Sequence, residues 1–319
     1  MEEIINNYDV NILSYINGSN KDNLLNNLPI YIINLKSNVI RRHYIKYIMH
    51  QMRINYNLVI VDTINDDIYD KIEKINIKVD KFKLGCVLSH LYCIKICIDS
   101  NFEKFLILED DIIFHKNFDK FFTLELLNLD FDILMLGAVD FNYDYNKQFI
   151  KSATNDMCIY KPNRQALGAH ANIYSNSFAK KLYKYKITNK IVEFDVDFKF
   201  FYNKNNIYIC TPNLIVCELS TTNLNHNFGY NFLRFKKYIK QIFPDKFTYK
   251  DYKYITIDFI NYAKKCNDIN SFKHLVEDYI KTLTKEEEIK LLIYDSLLQS
   301  GYSINDIIQI ISYDSTPIT

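Results

Sequence analysis

Short apolar runs bounded by polar turns recur along the first two thirds of the chain, and each reads as a buried strand. Ile30-Tyr31-Ile32-Ile33-Asn34-Leu35 is the first, Asn57-Leu58-Val59-Ile60-Val61-Asp62 the second and Phe105-Leu106-Ile107-Leu108 the third. Phe131 to Gly137 comes next, and Ile207 to Val216, broken at Thr211-Pro212, reads as a late strand pair or one bent strand. Between the strands the period changes to that of a helix. Ile40, Tyr44, Tyr47, Ile48 and Met52 space a helix over Val39 to Met52, and Leu88, Leu91, Tyr92, Ile96 and Ile98 space another. Strand, helix, strand order predicts an α/β fold with a mostly parallel sheet flanked by crossover helices.

The remaining segments differ in texture. Residues 1–27 are polar and Asn-rich, with one short helix expected around Ile4 to Ile16, and residues 62–81 are charged and irregular. Phe141 to Asn163 reads as an irregular, tyrosine-rich insertion suited to lining an acceptor cleft. From Tyr230 onward the pattern is helical: Leu233 to Phe243, Tyr252 to Lys265, Phe272 to Leu283, Lys285 to Gln299 and Ile304 to Ile311. The expected organisation is a lead-in over 1–27, an α/β domain over 28–228 and an α-helical C-terminal appendage over 229–319. That appendage offers a surface for homo-oligomer formation. Its basic amphipathic stretch, Arg234, Lys236, Lys237 and Lys240 among Phe232, Phe235 and Ile239, suits peripheral membrane contact or an anionic acceptor.

Composition narrows the class. Among 319 residues, 48% are hydrophobic and 24% charged, as in soluble globular proteins. The formal charge of +1 gives no global field toward nucleic acid, so no nucleic-acid partner is expected and any anionic ligand must be met locally. The cysteines number seven, without close pairs of zinc-like spacing, and read as reduced thiols. With no signal-peptide pattern and no apolar run of roughly 18 residues, a soluble intracellular protein is expected. Abundant Asn, Ile, Lys and Tyr with no Trp suggest an AT-rich coding genome, which describes the source rather than the function.

The candidate chemistry lies where the third strand runs into Glu109-Asp110-Asp111. Sheets of this class bind ligands beyond the carboxyl ends of their strands. Adjacent carboxylates at a low-dielectric edge repel one another, so they need protons or a hard divalent cation; the alternative is a solvated acidic turn. Asn34 ends the first strand, Arg41 and Arg42 open the next helix, and Asp62 ends the second strand. Together they suit a nucleoside diphosphate, with arginine forks for phosphate and a carboxylate for ribose or base. No glycine-rich phosphate loop is present. Gly85 is read as the tight opening of the helix that carries Ser89 and His90 in its first turn, where free N–H groups favour anions. Glu193-Phe194-Asp195-Val196-Asp197-Phe198 puts three carboxylates on one face as a strand, or Glu193 and Asp197 on one face as a helix.

Ile32-Ile33-Asn34-Leu35 with Arg41-Arg42, then Gly85-Cys86-Val87-Leu88-Ser89-His90, then Leu106-Ile107-Leu108-Glu109-Asp110-Asp111 resembles glycosyltransferase family 25 in order and spacing. That family groups lipopolysaccharide-synthesis enzymes with procollagen galactosyltransferases, and the resemblance covers about residues 28–225. It implies a GT-A fold holding Mn2+ (or Mg2+) at the acidic motif and a UDP-sugar donor. By the same resemblance Asp111 would ligate the metal, and Asp110 and Glu109 would contact ribose or the metal's waters. Asp197, with Asp195 as the competing candidate, would be the general base for an inverting transfer. His226, beyond the last strand, is a candidate to complete the metal coordination, as in several GT-A enzymes, and Asn225-His226-Asn227 equally suits a plain surface loop. Gly168 to Ser175 followed by Ala179 to Tyr185 is similar to the family's strand-then-helix segment. It departs from it at Ala171-Asn172, where small-aromatic residues are expected.

The resemblance therefore implies a metal-dependent enzyme moving a hexose from a UDP-sugar to a hydroxyl of a glycan, a lipid-linked or a collagen-like protein acceptor. The competing reading is a non-catalytic relative that binds nucleotide or partners. A signalling receiver domain, whose first strand also ends in an acidic pair, is discounted because it would be much shorter and here the acids come after two earlier strands.

Overall fold

The computed structural model describes residues 2–6, 8–17, 23–73, 80–115, 117–138, 148–154, 157–162, 166–189, 193–211 and 213–217. The chain divides into two units, residues 1–112 with 118–217, and residues 113–117 with 218–319. The helices expected over 229–319, and His226, lie outside the described residues. The first unit holds the main sheet and the acidic triplet.

The chain opens with α1 (Glu2–Asn6) and β1 (Val10–Tyr15), so the single helix expected around Ile4 to Ile16 is replaced by a helical turn and a strand. Alternation decides this: Val10 and Ile12, two residues apart, share one strand face and pack against the core, with Asn11 and Leu13 exposed between and beyond them, and the register sets Val10 against Val61 and Ile12 against Val59. Next come β2 (Ile30–Leu35), α2 (Val39–Gln51), β3 (Tyr56–Val61), α3 (Asp66–Glu73), α4 (Lys81–Asp99) and β4 (Lys104–Glu109). The stretch read as irregular over 62–81 thus contains α3. Beyond β4 lie β5 (Ile112–Phe114), α5 (Phe118–Phe121), α6 (Leu124–Leu127), β6 (Ile133–Met135), β7 (Gln148–Thr154) and β8 (Met157–Lys161). The unit closes with β9 (Ala171–Ser175), α7 (Asn176–Thr188), a 3-10 turn (Asp195–Phe200), β10 (Ile207–Thr211) and β11 (Ile215–Cys217).

One nine-stranded sheet runs β1-β3-β2-β4-β9-β6-β10-β8-β7. It is mixed. β3, β2 and β4 run parallel, as the strand, helix, strand order requires, and β6 pairs β10 in parallel. The antiparallel β9 lies between β4 and β6 and joins the two parallel groups. The tyrosine-rich insertion is less irregular than its composition suggests, because its described part is the antiparallel pair β7–β8 bonded to β10.

Along the central strands successive buried residues point to opposite faces of the sheet. Phe105 and Ile107 of β4, with Val59 of β3, join a core that takes Leu84, Val87, Leu91 and Ile94 from α4 and Phe178, Ala179 and Leu182 from α7. Leu106, Leu108, Ile32 and Leu58 have the opposite parity and are equally buried, as are Ile45, Ile48 and Met49 of α2. Burial on both faces is why these strands read as continuous apolar runs rather than alternating ones. Each fully buried Leu, Ile or Phe contributes about 1.5–3 kcal/mol, so the carboxyl ends of β2 and β4 stand on a rigid base.

α4 begins earlier than its glycine suggests. Asp80 caps it, its carboxylate accepting from the Lys83 amide at 2.8 Å. Gly85 therefore sits within the helix, with ordinary room for a side chain, its nearest neighbour being Ile64 at 3.7 Å. Ser89 and His90 lie in the third turn, where the backbone N–H groups are already paired within the helix.

Candidate active site

β2 and β4 are hydrogen-bonded neighbours, so Asn34 and the acidic triplet emerge side by side. Asn34 is fully buried and donates through Nδ2 to Asp110 Oδ2 at 2.6 Å and to Asn38 O at 3.1 Å. Its Oδ1 accepts from Arg42 Nε at 2.7 Å. The second contact ties the strand end to the cap of α2, where Asn38 Oδ1 accepts from the Arg41 amide at 3.3 Å. That capped first turn carries Arg41 across to the triplet, with Nη1 at 3.2 Å from Asp110 Oδ1 and 3.5 Å from Asp111 Oδ2.

The paired arginines therefore do different work. Arg41 stands between two carboxylates. Arg42 is committed to the protein, donating to Asn34 and to the carbonyls of Leu35 and Lys36 that close the β2–α2 turn.

Each carboxylate of the triplet has its own surroundings. Burial pushes the Asp110 carboxyl above its ordinary pKa, and Arg41 and Asn34 pull only part of that back. Burial acts in the same sense on Glu109, yet its pKa is held below the ordinary value by the hydrogen bond and charge of His90, aided by His170 and Arg41. Glu109 Oε1 lies 3.0 Å from His90 Nε2. Asp110 and Asp111 send hard oxygens toward one cationic nitrogen, which is the donor chemistry that magnesium and manganese require. The residues fit such an ion.

Asp62 is not drawn into this group. It lies at the exposed end of β3, paired with Lys36 at 2.9 Å and accepting from the Thr63 amide. Lys36 first, then Thr63, lowers its pKa. Ser89 is also turned inward, donating to Gly85 O at 2.7 Å.

Asp195 and Asp197 occupy the 3-10 turn after α7, and the turn separates them. Asp197 is buried against Lys186, with Nζ 2.6 Å from Oδ2, and Lys186 also donates to Glu193 O at 3.1 Å. Burial lowers the Lys186 pKa, opposed by Asp197. Asp195 is only partly covered and accepts from the Gly168 amide at 2.7 Å. Burial raises its pKa, the Gly168 bond lowers it, and Glu109 lies near enough for its charge to raise it further. Gly168 has φ 133°, a conformation that excludes ordinary side chains, and its carbonyl accepts from Asn172 Nδ2 at 2.9 Å. Asn172, part of the departure at Ala171-Asn172, is thus a buried brace of the Gly168 turn.

Sequence reasoning missed Lys186. Its signal was present, since Phe178, Ala179, Leu182 and Lys186 lie along the buried face of one helix, and a lysine there requires a buried partner.

The sequence profile of glycosyltransferase family 25, described as LPS biosynthesis protein, matches residues 27–199. The chain belongs to glycosyltransferase family 25. The match spans β2 into the 3-10 turn and so includes Asn34, Arg41, the acidic triplet, Lys186, Asp195 and Asp197. No curated protein is similar enough to the chain to count as a match. Membership makes this glycosyltransferase a sugar-transferring enzyme, with a sugar donor and an acceptor as its partners. Its mixed α/β sheet is consistent with the GT-A architecture, whose enzymes are typically metal-dependent. No helix among the described residues is long and apolar enough to cross a membrane.

Proposed function

We propose that this family 25 enzyme transfers a hexose from a UDP-sugar to an acceptor hydroxyl with inversion, using Mn2+ or Mg2+. The observation that carries this reading is the convergence of Asp110 and Asp111 on Arg41 at the carboxyl end of β4, braced by Asn34. When bound, the cation supplies Lewis-acid stabilisation of charge developing on the leaving diphosphate.

The chain's own residues perform the rest. Asp110 and Asp111 hold the cation, and Arg41 balances their charge and offers its guanidinium to the diphosphate. Arg42 and Asn34 act as positioning residues, because they fix the turn from which Arg41 projects. The acceptor oxygen bonds to the anomeric carbon as the bond to the diphosphate oxygen breaks, and the hydroxyl proton passes to a carboxylate. Geometry favours Asp195 over Asp197 for that role. Asp197 is buried and neutralised by Lys186, whereas Asp195 is partly accessible and its burial makes it a stronger base. Asp62 and Ser89 are left outside the donor contacts in this reading, and Gly85 serves α4 packing.

UDP release from a panel of UDP-hexoses, with manganese or chelator, tests the proposal. Release should require metal and fall to background in Asp111→Ala. Undiminished release in chelator or in that variant would overturn it.

A further inference from the structure

Cys86 and His90 are four residues apart on α4 and therefore share one helix face. That face meets the end of β4, where Glu109 Oε1 lies 3.0 Å from His90 Nε2 and 3.9 Å from Cys86 Sγ. The ligand-capable atoms of all three lie within 4.8 Å of one another. A tetrahedral zinc ion, with bonds of about 2.0–2.3 Å, separates its donors by roughly 3.2–3.7 Å. The two spacings to Glu109 bracket that range. Without an ion both are hydrogen bonds to the same carboxylate oxygen, one from the imidazole and one from the thiol, so the helix face brings two zinc-type donors to one oxygen.

Two further observations favour an ion. Cys86 is half-buried, whereas Cys93 and Cys97 of the same helix are fully covered, so this thiol alone of the three faces the site. His90 is buried and stacked on Phe194, ring centroids 4.4 Å apart, which fixes the imidazole with Nε2 toward Glu109. Burial first, and then the charges of Glu109, Asp195 and Asp111, push the Cys86 thiol pKa up, with Lys186 opposing them, so a thiolate here needs a cation beside it.

We propose that Cys86, His90 and Glu109 bind a borderline divalent transition metal of the zinc class, at a position distinct from the hard carboxylate pair Asp110 and Asp111. Thiolate and imidazole donors select zinc over magnesium or manganese, and the all-oxygen pair prefers the reverse. Binding releases the thiol proton to solvent. The thiolate and carboxylate then neutralise the dication, and a fourth coordination position stays open to water. The ion would tie α4 to the strand end that carries the acidic triplet. The assignment does not depend on sugar transfer.

Cobalt titration of the chelator-treated full chain tests it without any activity measurement. Cobalt should give a near-ultraviolet thiolate-to-metal band saturating at about one ion per chain and displaced by zinc. Cys86→Ser should lose the band, and both it and His90→Gln should weaken zinc binding at least about tenfold. Asp111→Asn should keep the band. Circular dichroism of the metal-free variants separates ligand loss from misfolding, and His90→Gln carries the same zinc readout if Cys86→Ser does not fold. Absence of the band in the unmodified chain, its survival in Cys86→Ser, or its loss in Asp111→Asn would overturn the assignment.

Discussion

Lys186 and Asp197 form an almost wholly buried ion pair, Nζ to Oδ2 2.6 Å, that pins the 3-10 turn to α7. Removing one partner strands the other charge in the core. Lys186→Met should therefore cost about 3–5 kcal/mol, whereas Lys186→Met with Asp197→Leu should recover most of it. Chemical denaturation of the single and double variants measures both. A double variant as unstable as the single one would contradict the description of the pair.

Arg41 makes the corresponding prediction at the acidic triplet. Arg41→Ala leaves Asp110 and Asp111 without their shared counter-charge, and a divalent cation can replace it. The drop in unfolding temperature relative to the unmodified chain should be larger in chelator than in excess manganese. Equal drops in both would mean that no cation binds between these carboxylates.

Asp195 links stability to activity. Burial raises its pKa above the ordinary 3.8, so the folded state retains its proton to higher pH than the unfolded chain does. This carboxyl therefore favours the folded state at acid pH, and that contribution is lost as pH rises through the raised pKa. Asp195→Asn removes a partly buried charge and should raise stability at neutral pH while lowering kcat about 10²–10⁴-fold. The acid limb of kcat/KM in the unmodified enzyme should lie above 3.8. Full activity in Asp195→Asn would transfer the base role elsewhere.

Gly168 offers a geometric test of the same carboxylate. At φ 133° an alanine is strained by about 1–3 kcal/mol, and relief of that strain moves the amide that Asp195 accepts from. Gly168→Ala should lower kcat more than it changes KM for the donor. An unchanged kcat would show that the Gly168 contact does not position the base.

Much of this architecture is legible from residue pattern. The apolar runs at Ile30 to Leu35 and Phe105 to Leu108 are read correctly because strands buried on both faces permit little but aliphatic and aromatic residues. The start of α4 is misread because Gly85 resembles a boundary, while the actual cap, Asp80, lies in a charged stretch without apolar rhythm. β7 and β8 are hidden because they extend the sheet beyond β10, where an apolar run is not demanded. Within the site, the triplet and Asn34 can be found from strand ends alone. The division of labour between Arg41 and Arg42, and between Asp195 and Asp197, cannot. Those roles depend on partners such as Lys186, Gly168 and the carbonyls of Leu35 and Lys36, which only the tertiary fold brings together.

In the proposed function Asp110, Asp111 and Arg41 form a cation-dependent site for a uridine diphosphate sugar. Thermal unfolding of the full chain with UDP and UDP-hexoses, each with manganese or chelator, tests it most directly, because a ligand that binds only the folded state raises the midpoint. Uridine nucleotides should give a manganese-dependent rise that vanishes in Asp111→Ala. No rise with any uridine nucleotide at millimolar concentration, or the same rise in chelator, would contradict it.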